Sequence, residues 1–106
     1  MTQQELNETL RLHAAWLADA PDGKIANLSG EDLNHADLRY ESLVGANLSG
    51  ADLTGANMSG ADFTGANMTG ANLRGTNMTG ANLTGSDFTG ADLTYANMAG
   101  AIGWED

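Results

Sequence analysis

The strongest constraint on the fold of this chain is a five-residue repeat that runs through most of its length. Between Ala26 and Gly100, fifteen units follow one another without an insertion. The third residue of every unit is large and apolar, the first is Ala in 11 units and the fifth is Gly in 12. An α-helix repeats at about 3.6 residues and a β-strand at about 2, so neither places every fifth residue inside. A disordered tract would not hold an apolar residue in such strict register.

Each unit predicts one short extended side followed by one corner. The third residue points inward because nothing else in the unit is large and apolar. The Ala two places earlier shares its side, and the Asn or Asp between them faces solvent. The Ser or Thr and the Gly that follow are turn residues. A chain that turns after every unit forms a polygonal coil, and stacked coils pair their backbones at a spacing of about 4.8 Å.

Units such as ANLSG (26–30), ADLTG (51–55) and ADFTG (61–65) resemble the A-(D/N)-L-X-X motif of the pentapeptide repeat protein family. This resemblance implies an all-β solenoid, a right-handed quadrilateral β-helix with four units per coil. Fifteen units then give about four coils. The chain divides into an N-terminal capping helix and turn (1–25), the pentapeptide-repeat β-helix (26–100) and a C-terminal tail (101–106).

The first 25 residues have a different pattern, which predicts a helix. The sequence TQQE (Thr2–Glu5) is typical of a capping box. Apolar residues then recur at helical spacing, with His13 on the same side: Leu6, Leu10, Ala14 and Leu17. Such a helix covers the exposed core of the first coil, as stacked repeats require. We interpret His13 and Trp16 as packing groups of this helix rather than as a functional pair.

Four units per coil stack residues that are twenty apart, and this sorts the second positions into faces. One face carries Asp32, Asp52, Asn72 and Asp92, an acidic column interrupted at Asn72 and next to Arg74. Glu31 and Glu41 occupy first positions of the first coil, where an Ala is expected. Burying a carboxylate there would be costly, so we expect their side chains to reach solvent at the end of the coil. The predicted partner-binding surface comprises Glu31, Asp32, Asp37, Glu41, Asp52, Asp62 and Asp92.

The net charge of the chain restricts its partners. Fourteen Asp and Glu stand against four Lys and Arg, which gives −10. Such a surface should repel nucleic acid and anionic membranes and attract the basic clefts of DNA-handling proteins. The family resemblance adds that members conferring quinolone resistance bind DNA gyrase as DNA mimics. Phage inhibitors of nucleases and CRISPR complexes also use acidic surfaces. We therefore expect a non-enzymatic DNA mimic that occupies the basic cleft of a DNA- or RNA-handling protein, without binding nucleic acid directly.

Other functions remain open from the sequence. In a structural protein–protein interaction scaffold, the charge would serve solubility only. Ice binding through rows of Thr is less favoured, because the fourth-position columns are mixed. Catalysis, cofactors and metal sites are not expected, because the chain has no Cys and only His13 and His35 as histidines. Its carboxylates lie on a convex surface without a pocket. Met58, Met78 and Met98 share one interior column, which we interpret as core.

The two ends of the chain carry further expectations. The start MTQQELNETL lacks a signal-peptide pattern, and no apolar run approaches the roughly 20 residues of a membrane helix, so we expect a cytoplasmic protein. After Gly100, Ile102 and Trp104 either fold over the last coil or leave it open to a second copy. Family members that mimic DNA dimerise through their C-terminal ends, so the resemblance implies a homodimer through the C-terminal coil.

Overall fold

In the computed structural model, which describes residues 1–104, one α-helix precedes a coiled repeat region. Helix α1 spans Gln3–Leu17. The predicted capping box is present: the Thr2 hydroxyl accepts a hydrogen bond from the Glu5 N–H, and the Glu5 carboxylate accepts one from the Thr2 N–H. The helix ends where Asp19 adopts a left-handed conformation with φ of 60°. No helix in residues 1–104 is long and apolar enough to cross a membrane.

The repeat region winds with a period of 20 residues. Twelve parallel bridges each join a second-position residue to the residue 20 places later, from Asn27 and Asn47 to Asn82 and Ile102. Four five-residue units therefore make one coil. Within the described part of the chain no strand is longer than a single bridged residue, because a corner follows every unit. The bridge to Ile102 extends the backbone pairing two residues beyond Gly100.

Each corner is a hydrogen-bonded turn closed by backbone atoms. In the unit that begins at Ala46, the Leu48 carbonyl accepts a hydrogen bond of 3.1 Å from the Ala51 N–H. Gly50, the third residue of this four-residue turn, has φ of 66°. A turn of this kind needs positive φ at its third residue, which Gly adopts without steric cost. The five-residue period thus arises from one extended pair and one turn.

The core is a stack of third-position side chains with small first-position side chains beside it. From Leu28 to Leu83 all the third-position residues are buried, and Leu6 and Leu10 of α1 belong to the same apolar cluster. The predicted apolar stripe of α1 is buried only in part, since Ala14 and Leu17 are exposed. In the last coil Phe88, Leu93 and Met98 are only partly buried. The molecule measures 38 × 26 × 21 Å along its principal axes.

The predicted tail, 101–106, is described as far as Trp104, and its last two residues lie outside the described part of the chain. Ala101 is buried, like the first-position Ala residues of earlier units. Ile102 occupies the outward second position and is 56% exposed, while Trp104 is 42% exposed. These two side chains therefore point to solvent and do not cover the last coil, whose third-position residues stay partly accessible.

Candidate acidic binding surface

The second-position side chain of a unit is held by the fourth residue of the same unit. Oδ1 of Asp52 accepts hydrogen bonds from the N–H and the hydroxyl of Thr54, at 3.1 and 2.6 Å. Oδ1 of Asn47 accepts the same two bonds from Ser49, at 3.0 and 2.8 Å. Asp and Asn side chains both bond the backbone two residues on. The corner therefore needs the oxygen that Asp and Asn share, and the negative charge of Asp is not required for it.

Three of the predicted surface residues lie in one column of stacked second positions. Asp32 is bridged to Asp52, Asp52 to Asn72, and Asn72 to Asp92, so the acidic column crosses four successive coils. Neighbouring members are separated by the sheet spacing of about 4.8 Å. Asp32 is exposed, and Asp52 and Asp92 are half-buried. We call Asp32, Asp52 and Asp92 the acidic column.

Local hydrogen bonds favour the charged form of two members of the acidic column, Asp52 and Asp92. The hydroxyl and N–H of Thr54 lower the pKa of Asp52, with a small further contribution from His35. The corresponding groups of Thr94 lower the pKa of Asp92, and Arg74 lowers it further. Hydrogen bonds to a carboxylate favour its charged form. Both side chains are therefore anions at neutral pH, despite the like charges in the same column.

Arg74 partly neutralises the C-terminal end of the acidic column. Its Nη1 lies 3.4 Å from Oδ2 of Asp92, and its guanidinium carbon lies 5.9 Å from the centre of the Tyr95 ring. Both side chains of the ion pair are about half exposed, so solvent screens the attraction between them. Asp32 and Asp52 form no such ion pair with Lys or Arg within residues 1–104.

The other predicted acidic residues do not join this column. Asp37 forms an ion pair of 2.9 Å with Arg39, which compensates its charge locally. Asp62 lies on a different face, bridged to Ser42 and Asn82. Glu31 is half-buried in the first coil.

Glu41 is also half-buried, and it faces the groove between α1 and the first coil. The expectation that the carboxylates lie on a convex surface without a pocket is therefore wrong for this residue, because α1 packs beside it and forms the other wall of the groove. The groove has a volume of about 400 Å³ and is lined by Gln3, Asn7, Asp37, Arg39, Tyr40 and Glu41. Burial, and then the nearby Asp37 charge, raise the pKa of Glu41. Glu41 thus has the least anionic character of the predicted surface residues for which a shift is resolved.

Three aromatic corner residues replace the Gly at the fifth position and were not predicted to be part of the binding surface. His35, Tyr40 and Tyr95 have φ of 57°, 60° and 64°, in the left-handed region that favours Gly. The His35 ring leans over the next coil, since a methyl group added at Gly55 would lie 2.5 Å from it. Tyr95 is 84% exposed. His35 and Tyr95 therefore border the two ends of the acidic column.

Comparisons with known proteins agree with this geometry. The family model described as pentapeptide repeats matches eight copies, over residues 32–70, 42–80 and 71–102, which together exceed half of the chain. No curated protein sequence matches the chain significantly.

Several solved structures are similar. The chain is 41% identical to the pentapeptide repeat protein Rfr23 of the cyanobacterium Cyanothece 51142, with a TM-score of 0.70, over 71% of this chain and 51% of that one. It therefore spans about half the length of that relative. It is 30% identical to alr5209, a pentapeptide repeat protein of Nostoc PCC 7120, with a TM-score of 0.73, over 86% of this chain and 71% of that one.

A third similar structure is QnrB1, a plasmid-mediated fluoroquinolone resistance protein. The identity is 29% and the TM-score 0.55, over 67% of this chain and 37% of that one. The repeat, its 20-residue coil and these likenesses agree with one another. The chain belongs to the pentapeptide repeat family, whose members fold as right-handed quadrilateral β-helices.

Proposed function

We propose that this chain is a non-enzymatic binding protein whose acidic column imitates the phosphates of DNA. The column would occupy the basic cleft of a DNA- or RNA-handling enzyme or complex. The observation that carries the proposal is that Asn47 makes the same two hydrogen bonds as Asp52. Because the fold does not need the charge, three Asp residues in one column suggest selection for binding. The chain would contact the protein partner and not nucleic acid itself, since like charges repel.

The charge density of the molecule determines the kind of partner it suits. A net charge of −10 over 38 Å corresponds to one negative charge per roughly 4 Å, against about 1.7 Å for duplex DNA. The mimic is therefore less than half as charged as the DNA it would replace. A cleft lined by basic side chains compensates for this, because its low-dielectric walls focus the field. Binding should weaken steeply as salt is raised.

The likeness to QnrB1 supports gyrase as the first partner to test. That protein confers fluoroquinolone resistance, and the similar region covers 37% of it. Nuclease and CRISPR complexes are the second class of target, because they also hold nucleic acid in basic clefts. A cytoplasmic location is part of the proposal, since these enzymes act there. In residues 1–104 no three His, Cys, Asp or Glu side chains are grouped so that they could hold a metal ion.

The proposal is tested by replacing the acidic column without disturbing the corners. The column variant carries Asp32→Asn, Asp52→Asn and Asp92→Asn. The matched control carries Asp19→Asn, Asp22→Asn and Asp87→Asn, which removes the same charge from outside the predicted partner-binding surface. Immobilised wild type and both variants are exposed to purified gyrase and to a bacterial lysate, at low and moderate salt, with and without competing DNA.

We expect wild type and the control to retain a DNA-handling protein that DNA displaces, and the column variant to bind it about 10 to 100 times more weakly. This loss corresponds to three charge pairs at about 0.5 to 1 kcal/mol each. Equal retention by the two variants would show that the position of the charge does not matter. The protein would then be a protein–protein interaction scaffold whose charge serves solubility.

No observation in residues 1–104 favours ice binding. Several fourth-position hydroxyls, including that of Thr54, donate their hydrogen bond to the second-position side chain of their own unit rather than to solvent.

We further propose that the C-terminal coil pairs with a second copy of the chain. Phe88, Leu93 and Met98 are partly exposed, whereas their counterparts one coil earlier, Met68, Leu73 and Met78, are fully buried. The Met68 N–H donates to the Asp87 carbonyl at 2.8 Å, and the Phe88 N–H makes no such bond within the described residues. Ile102 and Trp104 would lie at the rim of this interface. An open sheet edge with an apolar centre favours pairing.

A further inference from the structure

His13 joins α1 to the first coil through both nitrogens of its ring. The side chain is fully buried, at 0% exposure. Its Nδ1 accepts a hydrogen bond of 2.9 Å from the Ala26 N–H, and its Nε2 lies 3.0 Å from the Val44 carbonyl oxygen. A carbonyl only accepts and a backbone N–H only donates, so the ring must carry its proton on Nε2 alone. The docked helix therefore requires the neutral imidazole, in one tautomer.

A second proton would break this arrangement. It would place an N–H on Nδ1, directly facing the Ala26 N–H, and would bury a positive charge away from water. We propose that His13 is an acid-sensitive latch, whose protonation releases α1 from the first coil and uncovers the N-terminal end of the β-helix. Release would expose Leu6 and Leu10 together with the first-coil leucines against which their cluster is built.

No carboxylate in residues 1–104 lies within ion-pair distance of the His13 ring. The charged groups on the elements packed around it are Glu5, Glu8 and Arg11 of α1, Asp19, Asp22 and Lys24 of the following turn, and Glu31, Asp32, Asp37, Arg39 and Glu41 of the first coil. Within the described residues none of them forms a hydrogen bond or ion pair with the imidazole. Arg11 is paired with Glu8 at 2.7 Å, and Glu41 faces the grooves beside α1. The aromatic neighbour is Trp16, whose ring centre lies 5.4 Å away.

The direction of the pH effect follows from the burial of the ring. Burial lowers the pKa of His13, and the hydrogen bond to the Val44 carbonyl offsets this only in part. In the released helix the pKa returns to its ordinary value of about 6.5. The released state thus binds more protons than the docked state as pH falls below that value. The released fraction should rise by up to about tenfold per pH unit, until the pKa of the docked ring is reached.

Gln3 provides a model for a latch that does not titrate. Its Oε1 accepts a hydrogen bond from the Asp37 N–H at 3.2 Å, and its Nε2 donates to the Asp37 carbonyl at 3.4 Å. A primary amide thus makes the same pair of backbone contacts on another face of the first coil. His13→Gln retains a donor and an acceptor without an ionisable group. His35→Gln is the matched control, because it removes the other, exposed histidine.

The test is amide hydrogen exchange of the full chain between pH 7.5 and 5.0, corrected for the intrinsic pH dependence of exchange. Amides of the second and third coils, such as Leu53 and Met58, serve as the internal reference. We expect protection of α1 to fall at least tenfold across this range in wild type and His35→Gln, and to stay constant in His13→Gln. Constant protection in wild type, or an equal fall in His13→Gln, would overturn the proposal.

A second measurement covers the case in which His13→Gln does not dock. The imidazole Hε1 resonance of His13 in wild type is followed by NMR over the same range. We expect His13 to titrate below the ordinary imidazole value of about 6.5, together with the loss of α1 protection. Titration of His13 at or above that value, with α1 still protected, is incompatible with the latch.

Discussion

At the scale of single residues, the second-position side chain of each unit uses one atom to close the corner and another to set the charge of the surface. Its Oδ1 closes the corner by accepting from the fourth residue, as Asp52 does from Thr54. The remaining oxygen or amide of the side chain is left for the surface. Asn and Asp can therefore both close the corner, but Asn is neutral and Asp adds a negative charge to the surface. This explains how the same repeat carries both neutral and acidic faces.

Substitutions at Asp52 test this separation. We expect Asp52→Asn to change the free energy of unfolding by less than about 0.5 kcal/mol, because Asn keeps the oxygen that accepts from Thr54 and solvent screens the charge of this partly exposed side chain. Asp52→Ala leaves the Thr54 N–H without its acceptor and should cost about 1 kcal/mol. Urea denaturation at pH 7 measures both. A large loss in Asp52→Asn would mean that the charge itself is structural.

The pH dependence of the two proteins gives an independent check. The folded-state pKa of Asp52 lies below its ordinary value, so its contribution to stability is present above pH of about 4 and is lost as pH falls through the folded pKa. Asp52→Asn lacks this contribution at every pH. Wild type should therefore lose more stability than Asp52→Asn on acidification below about pH 4. Parallel acid curves would contradict the assigned hydrogen bonds.

At the scale of elements, the sequence predicts the shape of the five-residue unit better than it predicts the contacts between distant parts of the chain. The five-residue register predicts an extended side and a corner, and the 20-residue bridges show both. The number of units per coil came from the family resemblance, because a corner angle cannot be derived from an apolar period. The helical spacing likewise puts His13 on the inner side of α1 without indicating its two backbone partners, which lie 13 and 31 residues away.

Part of the candidate surface was also beyond prediction. Stacking at 20 residues places Asp32, Asp52 and Asp92 in one column, as expected from the sequence. The ion pair between Asp37 and Arg39 and the groove around Glu41 depend on side-chain directions that the repeat does not specify. Only the structure shows which carboxylates remain free to act together.

The packing of α1 gives a prediction at this scale, because its two ends differ in burial. Leu6 is buried in the common core, whereas Leu17 is 41% exposed although the helical pattern puts it on the same stripe. We expect Leu6→Ala to lower the free energy of unfolding by about 2 to 4 kcal/mol and Leu17→Ala by less than about 0.5 kcal/mol. Chemical denaturation of the two variants measures the difference. Equal losses would mean that α1 packs along its whole length.

At the scale of the whole molecule, the two ends of the β-helix differ in how well their cores are covered. α1 lies over the first coil and contributes Leu6 and Leu10 to its core. The last coil keeps Phe88, Leu93 and Met98 partly accessible, with Ile102 and Trp104 exposed beside them. An end of about 26 by 21 Å gives roughly 500 Å² per copy, so a pair would bury about 1,000 Å², near the lower limit for a specific interface. The expected homodimer is therefore weak and depends on concentration.

This dimer is tested by light scattering during size-exclusion chromatography over a range of concentrations. Wild type should shift from the 11.0 kDa monomer towards twice that mass as concentration rises to about 100 µM, since small interfaces bind weakly. Ile102→Asp places a charge at the rim of the proposed interface, at a side chain that is already 56% exposed, so it should keep the fold and abolish the shift. Leu17→Asp, the same kind of change at the opposite end, should leave the shift unchanged. If wild type stays monomeric, or if both variants lose the mass shift equally, the C-terminal coil is not the dimer interface. The acidic column would then act from a single copy.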